Sequence, residues 1–181
     1  MKDFDYLTDY KYYNNNYSYA VADKPFRYVD VSKNLSRSAQ PRVDQFEWLK
    51  KQGVTDVVNL RKPKIEFINF DEKAVVENLG MKYHNIPTYT RFPKEKQIRQ
   101  FLKIVNQVEK SNGKVHIHCR EGVDRTGLYS FIYKSIKNIG SVGNNLKEWI
   151  EIGFHFDSYK ELVPWAVNFV NKTKGKSVYF K

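Results

Sequence analysis

The residue types that could carry out chemistry are concentrated in one segment, residues 115–127, which reads VHIHCREGVDRTG. Cys119, the only cysteine of the chain, ends a short alternating apolar stretch that predicts a strand. Ligands of open α/β sheets bind where strands end, and the N–H groups of a loop at a helix N-terminus attract anions. The segment therefore predicts a cradle for a phosphate-like group, formed by Arg120, Glu121, Gly122, Val123, Asp124 and Arg125.

Each side chain of this segment has a task that follows from its type. A helix N-terminus and Arg125 favour the thiolate form of Cys119, which is the form that attacks phosphorus. Arg125 can bind two phosphate oxygens through its planar guanidinium group, and Gly122 lets the backbone turn close to the ligand. Thr126 can offer its hydroxyl to the departing thiolate, and His118 is expected to orient the loop from behind. No metal ion and no cofactor are expected, because the loop and Arg125 already stabilise the transferring charge.

The elements that must position this segment follow from the spacing of apolar residues. Strands are predicted over residues 54–60, 81–86 and 114–118, and helices over 44–53, 98–113, 128–139, 146–152 and 159–170. Pro164 is expected to kink or break the last helix. Strands that alternate with helices indicate an α/β fold with a central, mostly parallel sheet flanked by helices.

Length and composition favour one domain. A chain of 181 residues with 41% hydrophobic residues can bury a core without a disulfide or a structural metal. Residues 1–25 are rich in Tyr and Asn without a regular period and predict an irregular arm, so the single domain is expected over 26–181. No apolar stretch approaches the ~20 residues of a membrane span, and residues 1–5 do not resemble a signal peptide. We therefore expect a soluble monomer, cytoplasmic by default.

A family resemblance adds to this interpretation. His118-Cys119, Arg125 and Thr126-Gly127 resemble the signature loop of the cysteine-dependent protein tyrosine phosphatase superfamily, in its small dual-specificity branch; residues 119–125 are the signature loop below. The stretches LSRSAQP at 35–41 and GVTDVVNLR at 53–61 are also similar to early segments of compact members. The resemblance covers about residues 32–165 and implies a phosphatase domain that hydrolyses phosphomonoesters through a phosphocysteine without a metal.

The general acid of that family is missing from its usual place. Members supply an aspartate from a mobile loop, but the corresponding stretch here, residues 86–96, contains Glu95 as its only carboxylate. Glu95 also begins a predicted helix, where an acidic residue ordinarily compensates the dipole. Asp124 is the other candidate, and its D-R-T context is similar to myotubularin-type and Sac-type phosphoinositide phosphatases. Asp124 could instead bond loop amides or a basic neighbour, so the sequence leaves the acid open.

Basic residues near the predicted site bear on the substrate. The expected rim consists of Arg61, Lys62, Lys94 and Lys96. Clustered cations suit a substrate with several phosphates, and short stretches look weakly like phytase-type inositol phosphatases, so inositol polyphosphates or phosphoinositides are the leading prediction. Tyr89 or Phe92 could form the aromatic wall of a phosphotyrosine pocket, which makes a tyrosine or dual-specificity protein phosphatase the alternative.

The net charge of +11 favours an anionic partner without choosing among anions. An RNA 5′-triphosphatase shares this type of loop, but no aromatic and basic residues interleave outside the N-terminal arm, so no nucleic-acid partner is expected. A phosphate-binding module without catalysis is a further alternative, since the loop aspartate is missing while Cys119, Arg125 and Thr126 are retained. The expected partner is a phosphorylated small molecule or phosphoprotein substrate.

Overall fold

The computed structural model describes residues 26–62 and 68–175, and the predicted N-terminal arm lies outside these residues. The described chain contains the strands β1 (Val29–Ser32), β2 (Leu35–Ser38), β3 (Asp56–Asn59), β4 (Lys82–Asn85) and β5 (Val115–His118). They form one sheet in the order β1-β2-β5-β3-β4. Only the β1–β2 pair within it is antiparallel. The predicted α/β fold with a mostly parallel central sheet is confirmed.

The register of the sheet brings the carboxyl ends of three strands together. His118, the last residue of the central strand β5, pairs with Ser38 of β2 on one side and with Asn59 of β3 on the other. The connections that follow these strands therefore start from the same edge of the sheet, where α/β proteins bind ligands. Residues 119–125 leave from the middle of that edge.

Seven helices flank the sheet in the described chain. They are α1 (Val43–Lys51), α2 (Glu72–Asn78), α3 (Glu95–Lys110), α4 (Asp124–Ile136), α5 (Val142–Glu151), α6 (Phe156–Tyr159) and α7 (Leu162–Thr173). The apolar spacing missed α2, β1 and β2, which are too short to show a clear period. No described helix has the length and apolar character that a membrane crossing requires.

The expected break at Pro164 is wrong. Helix α7 runs through Pro164 without interruption, and the break falls earlier, between α6 and α7. Pro164 occupies the first turn of α7, where backbone N–H groups have no partner within the helix, so proline removes no hydrogen bond there. The structure therefore has two helices, α6 and α7, where the sequence predicted one.

The apolar residues form one cluster on each face of the sheet. One cluster contains Phe46 and Leu49 of α1, Val76 of α2 and Val57 of β3. A larger cluster on the other face contains Cys119, Leu128 and Trp149. Helix α4 is buried along nearly its whole length between the sheet and its neighbours. Gly127 is required in this packing, because a Cβ there would lie 2.2 Å from Cδ1 of Trp149. Helix α5 consequently packs directly against the beginning of α4.

Candidate active site

Cys119 lies at the base of the tight signature loop between β5 and α4. Its side chain is almost completely buried, with 2% of its surface exposed, and the backbone N–H of Gly122 donates to Sγ at 3.3 Å. The loop ends at Asp124, the first residue of α4, so the N-terminus of that helix faces the same space. The predicted placement of a cysteine at the junction of strand and helix is therefore present in the structure.

The loop is supported from β2 and from α5. Gly122 has φ +77°, and a Cβ on it would lie 2.7 Å from the backbone N of Ala39. The carbonyl of Arg120 accepts a hydrogen bond from the N–H of Gln40 at 3.1 Å. On the opposite side, Nε1 of Trp149 donates to the carbonyl of Val123 at 3.2 Å. The close approach to β2 explains why only glycine fits at position 122.

Arg125 and Thr126 extend from the first turn of α4. Arg125 is 8% exposed, and its guanidinium group donates to the carbonyl of Leu60 at 3.4 Å, which directs it along the sheet edge. Thr126 is fully buried, and its hydroxyl has no hydrogen-bond partner among the described residues. A buried hydroxyl without a partner costs free energy. The Thr126 hydroxyl is therefore available to donate a hydrogen bond to a group that changes charge during a reaction.

These groups open into a pocket of about 240 Å³. The residues that line it are Lys62, Thr88, Thr90, Cys119, Arg120, Glu121, Asp124, Arg125 and Tyr159. The structure thus brings together Cys119, Arg125 and most of the predicted cradle around one cavity. The cavity combines a buried nucleophile, cationic side chains and a helix N-terminus, which is an arrangement that binds and transfers a phosphoryl group.

His118 lies behind the loop, as predicted, and is held there by a buried carboxylate. Its Nε2 lies 3.0 Å from Oε1 of Glu72, and its Nδ1 lies 3.4 Å from the carbonyl of Cys119. Glu72 also accepts hydrogen bonds from Asn59 and Gln40. The network fixes the imidazole ring of His118 behind the loop that begins at Cys119.

The charge of Glu72 is maintained inside this network. Burial raises the pKa of the Glu72 carboxyl, but attraction and hydrogen bonding by His118, together with Gln40 and Arg61, outweigh burial and leave that pKa below its ordinary value. The carboxylate therefore stays ionised and anchors the back of the loop near neutral pH.

Arg61 does not lie on an exposed rim. Its side chain is 3% exposed, its guanidinium group donates to Oε1 of Gln40 at 2.5 Å, and its backbone N–H donates to Asn59. The side-chain amide of Gln40 in turn donates to Glu72. Arg61 therefore belongs to the buried network behind the loop, where Gln40 after β2 and Asn59 at the end of β3 accept its hydrogen bonds.

The other predicted rim lysines differ in position. Lys62 lines the pocket and places Nζ 3.7 Å from the centre of the Tyr89 ring, a cation–π contact. Lys94 and Lys96 are exposed at the beginning of α3 and are not among the lining residues. Lys94 is the residue before α3, and its backbone N–H donates to Oε1 of Gln97. Of the four predicted rim residues, Lys62 alone lines the pocket.

The two acid candidates are in different environments. Glu95 forms an exposed ion pair with Arg99 at 2.8 Å, one turn along α3, and does not line the pocket. Asp124 lines the pocket, and its carboxylate accepts a hydrogen bond from the backbone N–H of His155 at 3.0 Å. The imidazole of His155 faces the same carboxylate. Position therefore favours Asp124 over Glu95.

Sequence reasoning missed several residues of this site. His155 and Tyr159 come from the segment around α6, and Glu72 comes from α2. None of them stands near residues 115–127 in the sequence, and no motif marks them. The HFDSY stretch at 155–159 offered one weak indication, a histidine beside aromatic residues at the start of the last predicted helix.

Fold and site together define a phosphatase of the protein tyrosine phosphatase class, with the signature loop at the carboxyl edge of a parallel sheet. The chain belongs to the family whose model is described as "Polymorphic toxin system, DSP-PTPase phosphatase", which matches residues 31–134, more than half of the chain. It is therefore a phosphatase of the cysteine-dependent, dual-specificity type.

Curated relatives agree with this assignment. The dual specificity protein phosphatase TpbA of Pseudomonas aeruginosa is 26% identical over 116 residues, which amount to 64% of this chain and 50% of TpbA. The same values hold for TpbA from a second strain of that species. The chain thus spans about half the length of the curated relatives it matches.

Solved structures share the fold at lower identity. A DUF442 protein from Shewanella putrefaciens has a TM-score of 0.70 at 21% identity, covering 82% of this chain and 92% of that chain. P. aeruginosa TpbA has a TM-score of 0.67 at 21% identity, with coverages of 82% and 89%. The catalytic core of a PP-IP phosphatase from S. cerevisiae has a TM-score of 0.66 at 18% identity, with coverages of 86% and 90%.

Proposed function

We propose that this domain hydrolyses aryl phosphomonoesters, phosphotyrosine in proteins above all, through a phosphocysteine intermediate on Cys119. The observation that carries the proposal is the buried Sγ of Cys119 at the base of the pocket, with the N–H of Gly122 donating to it and Arg125 lining the same cavity. The N–H of Gly122 donates to this sulfur and α4 begins at Asp124 beside it, so an anionic phosphate is favoured next to the sulfur.

The first half-reaction forms the intermediate. The substrate phosphate binds against the N–H groups of the signature loop, and Arg125 binds two of its oxygens. The thiolate of Cys119 attacks phosphorus, the S–P bond forms, and the P–O bond to the leaving group breaks. The leaving oxygen takes a proton from Asp124, which lines the pocket beside the loop.

The second half-reaction regenerates the enzyme. A water molecule attacks the phosphocysteine, Asp124 accepts its proton, and the S–P bond breaks to release inorganic phosphate. The hydroxyl of Thr126 donates to the sulfur as its negative charge returns. This assignment gives a role to the buried hydroxyl that has no partner among the described residues.

The composition of the pocket supports a substrate with one phosphate on an aromatic ring. Lys62, Arg120 and Arg125 are opposed by the carboxylates of Glu121 and Asp124, a balance that disfavours a polyanion. Tyr159 supplies an aromatic wall. Tyr89 and Phe92, the aromatic residues expected from the sequence to form this wall, are 52% and 71% exposed and are not among the lining residues. A solved structure of TpbA is described in complex with pTyr.

Inositol polyphosphates, the leading prediction from the sequence, are the second candidate. Lys62 and Arg120 both line the pocket and could bind a second phosphate. The fold shared with a PP-IP phosphatase is compatible with such a substrate. Charge reversal at Lys62 separates the two, because Lys62→Glu should impair hydrolysis of inositol hexakisphosphate much more than that of an aryl phosphate, and less so in high salt.

A substrate panel tests the proposal. We expect kcat/KM to be highest for a phosphotyrosine peptide when it is compared with inositol hexakisphosphate, soluble phosphoinositides and triphosphorylated RNA. Cys119→Ser should keep the melting temperature and abolish turnover, and wild type quenched during turnover should carry a phosphate adduct on Cys119 by mass spectrometry. Turnover by the serine variant would refute the cysteine mechanism, and preference for an inositol phosphate would reverse the substrate assignment.

A further inference from the structure

His155 lies against Asp124, one of the residues that line the pocket. Its Nδ1 lies 3.1 Å from Oδ1 and 3.0 Å from Oδ2 of Asp124, and its backbone N–H donates to Oδ1 at 3.0 Å. Its Nε2 lies 3.9 Å from Oε2 of Glu121. Since Asp124 and Glu121 both line the pocket, this imidazole links two carboxylates of the site.

The position of His155 is fixed by the fold. The residue precedes the short helix α6, next to Phe154, which is buried against Trp149 with ring centres 4.5 Å apart. Trp149 in turn donates to the carbonyl of Val123 in the signature loop. The segment that carries His155 is therefore tied to the same loop that carries the nucleophile.

Protonation of an alkoxide or phenolate leaving group needs a group that carries a proton near neutral pH. A carboxyl group of ordinary acidity has already lost its proton there, whereas imidazole gains or loses one between pH 5 and 8. In the usual family pattern the acid is a loop aspartate, and residues 86–96 contain none. A proton source beside Asp124 is therefore needed if Asp124 is to protonate an alkoxide or phenolate.

We propose that His155 is a positioning residue that holds the Asp124 carboxylate towards the pocket and supplies the proton that Asp124 transfers. The proposal rests on the proposed function. As the P–O bond of the substrate breaks, the proton on Nδ1 of His155 moves to the Asp124 carboxylate, which passes it to the leaving oxygen. The imidazole becomes neutral and the carboxylate stays ionised. When water attacks the phosphocysteine, its proton passes to Asp124 and back to Nδ1.

The groups around His155 favour this cycle. Asp124 of α4 and Glu121 of the signature loop place carboxylate oxygens 3.0 Å and 3.9 Å from the ring nitrogens of His155. Arg91 donates to the carbonyl of Ser158 at 3.4 Å, three residues further along the same segment. That contact joins residues 86–96, which usually supply the acid, to the segment that carries His155.

Leaving-group dependence and pH distinguish this role from a structural one. His155→Asn keeps a side-chain N–H near Asp124 but cannot supply a proton. We expect it to lower kcat for phosphotyrosine by roughly 10²-fold or more, while p-nitrophenyl phosphate, whose leaving group needs little protonation, changes by less than about 10-fold. The alkaline limb of the pH–rate profile for phosphotyrosine should become flat.

A matched control uses the other histidine–aspartate pair. His84 places Nε2 2.8 Å from Oδ1 of Asp56, away from the pocket, so His84→Asn should leave both substrates and the pH profile unchanged. Equal losses of His155→Asn on both substrates, with an unaltered pH profile, would overturn the proposal, whatever the melting temperature. Failure of the phosphatase function itself would appear differently, as wild type without Cys119-dependent turnover of p-nitrophenyl phosphate.

Discussion

Gly122→Ala tests whether the signature loop depends on its close approach to β2. The residue has φ +77°, and an added Cβ would lie 2.7 Å from N of Ala39 and 2.8 Å and 2.9 Å from C and O of Ser38. All three contacts are with backbone atoms, so no side-chain rotation can relieve them. The loop must therefore move away from β2, or β2 must move with it.

The expected size of the effect has two parts. A left-handed conformation costs a residue with a side chain about 1–2 kcal/mol, and the backbone overlap adds to it, so we expect a total loss of roughly 2–4 kcal/mol. For a chain of this length, that corresponds to a melting temperature lower by roughly 4–16 °C. Activity should fall further, since displacing one preorganised N–H donor of such a site reduces kcat by roughly 10²–10³-fold.

Two other glycines serve as controls. Gly53 has φ +81° with nothing within 4 Å, so Gly53→Ala measures the conformational cost alone. Gly143, in α5, has Ser141 Oγ at 4.0 Å as its nearest contact, so Gly143→Ala should be neutral or stabilising by up to ~1 kcal/mol. Thermal unfolding and p-nitrophenyl phosphate hydrolysis are measured for all three. A Gly122→Ala protein that melts like Gly53→Ala and keeps full activity would refute the reasoning.

Two further predictions concern buried groups. Thr126→Val removes a buried hydroxyl that has no partner among the described residues, so it should raise the free energy of unfolding by about 1 kcal/mol. The same variant should release a burst of p-nitrophenol, because its phosphocysteine is hydrolysed slowly. Burial, with His118 and Lys114, holds the pKa of His116 well below its usual value, so the unfolded chain takes up a proton first as pH falls. The free energy of unfolding should therefore drop by about 1.4 kcal/mol between pH 7.5 and 5.5. Urea titrations of His116→Leu should not show this loss.

The signature loop and its flanking elements could be predicted because their determinants are local. Strand β5 shows its period before Cys119, and the glycine and arginine that the cradle needs follow within six residues. The resemblance to a family added the stretches 35–41 and 53–61 as early segments of the same domain. Sequence therefore predicted the nucleophile, the position of Arg125 and His118 behind the loop.

The remaining residues of the site could not be predicted because their neighbours come from distant parts of the chain. Arg61 is buried because Gln40, 21 residues earlier, accepts its hydrogen bond. His155 meets Asp124 across 31 residues, and only the packing of α5 against α4 brings them together. A charged residue at a strand end looks the same in sequence whether it faces solvent or a buried partner.

The distribution of charge bears on the substrate more directly than the net charge does. The whole chain carries +11, yet the described residues that line the pocket include Glu121 and Asp124 as well as three cations. A polyanion approaching Lys62 and Arg120 would have to bring its second phosphate close to these carboxylates, which repel it. A phosphotyrosine places one phosphate against the loop N–H groups and Arg125, and leaves its ring for the aromatic wall of Tyr159. Under the proposed function, we expect the excess positive charge to raise the rate at which anionic substrates arrive and the carboxylates of the pocket to select among them.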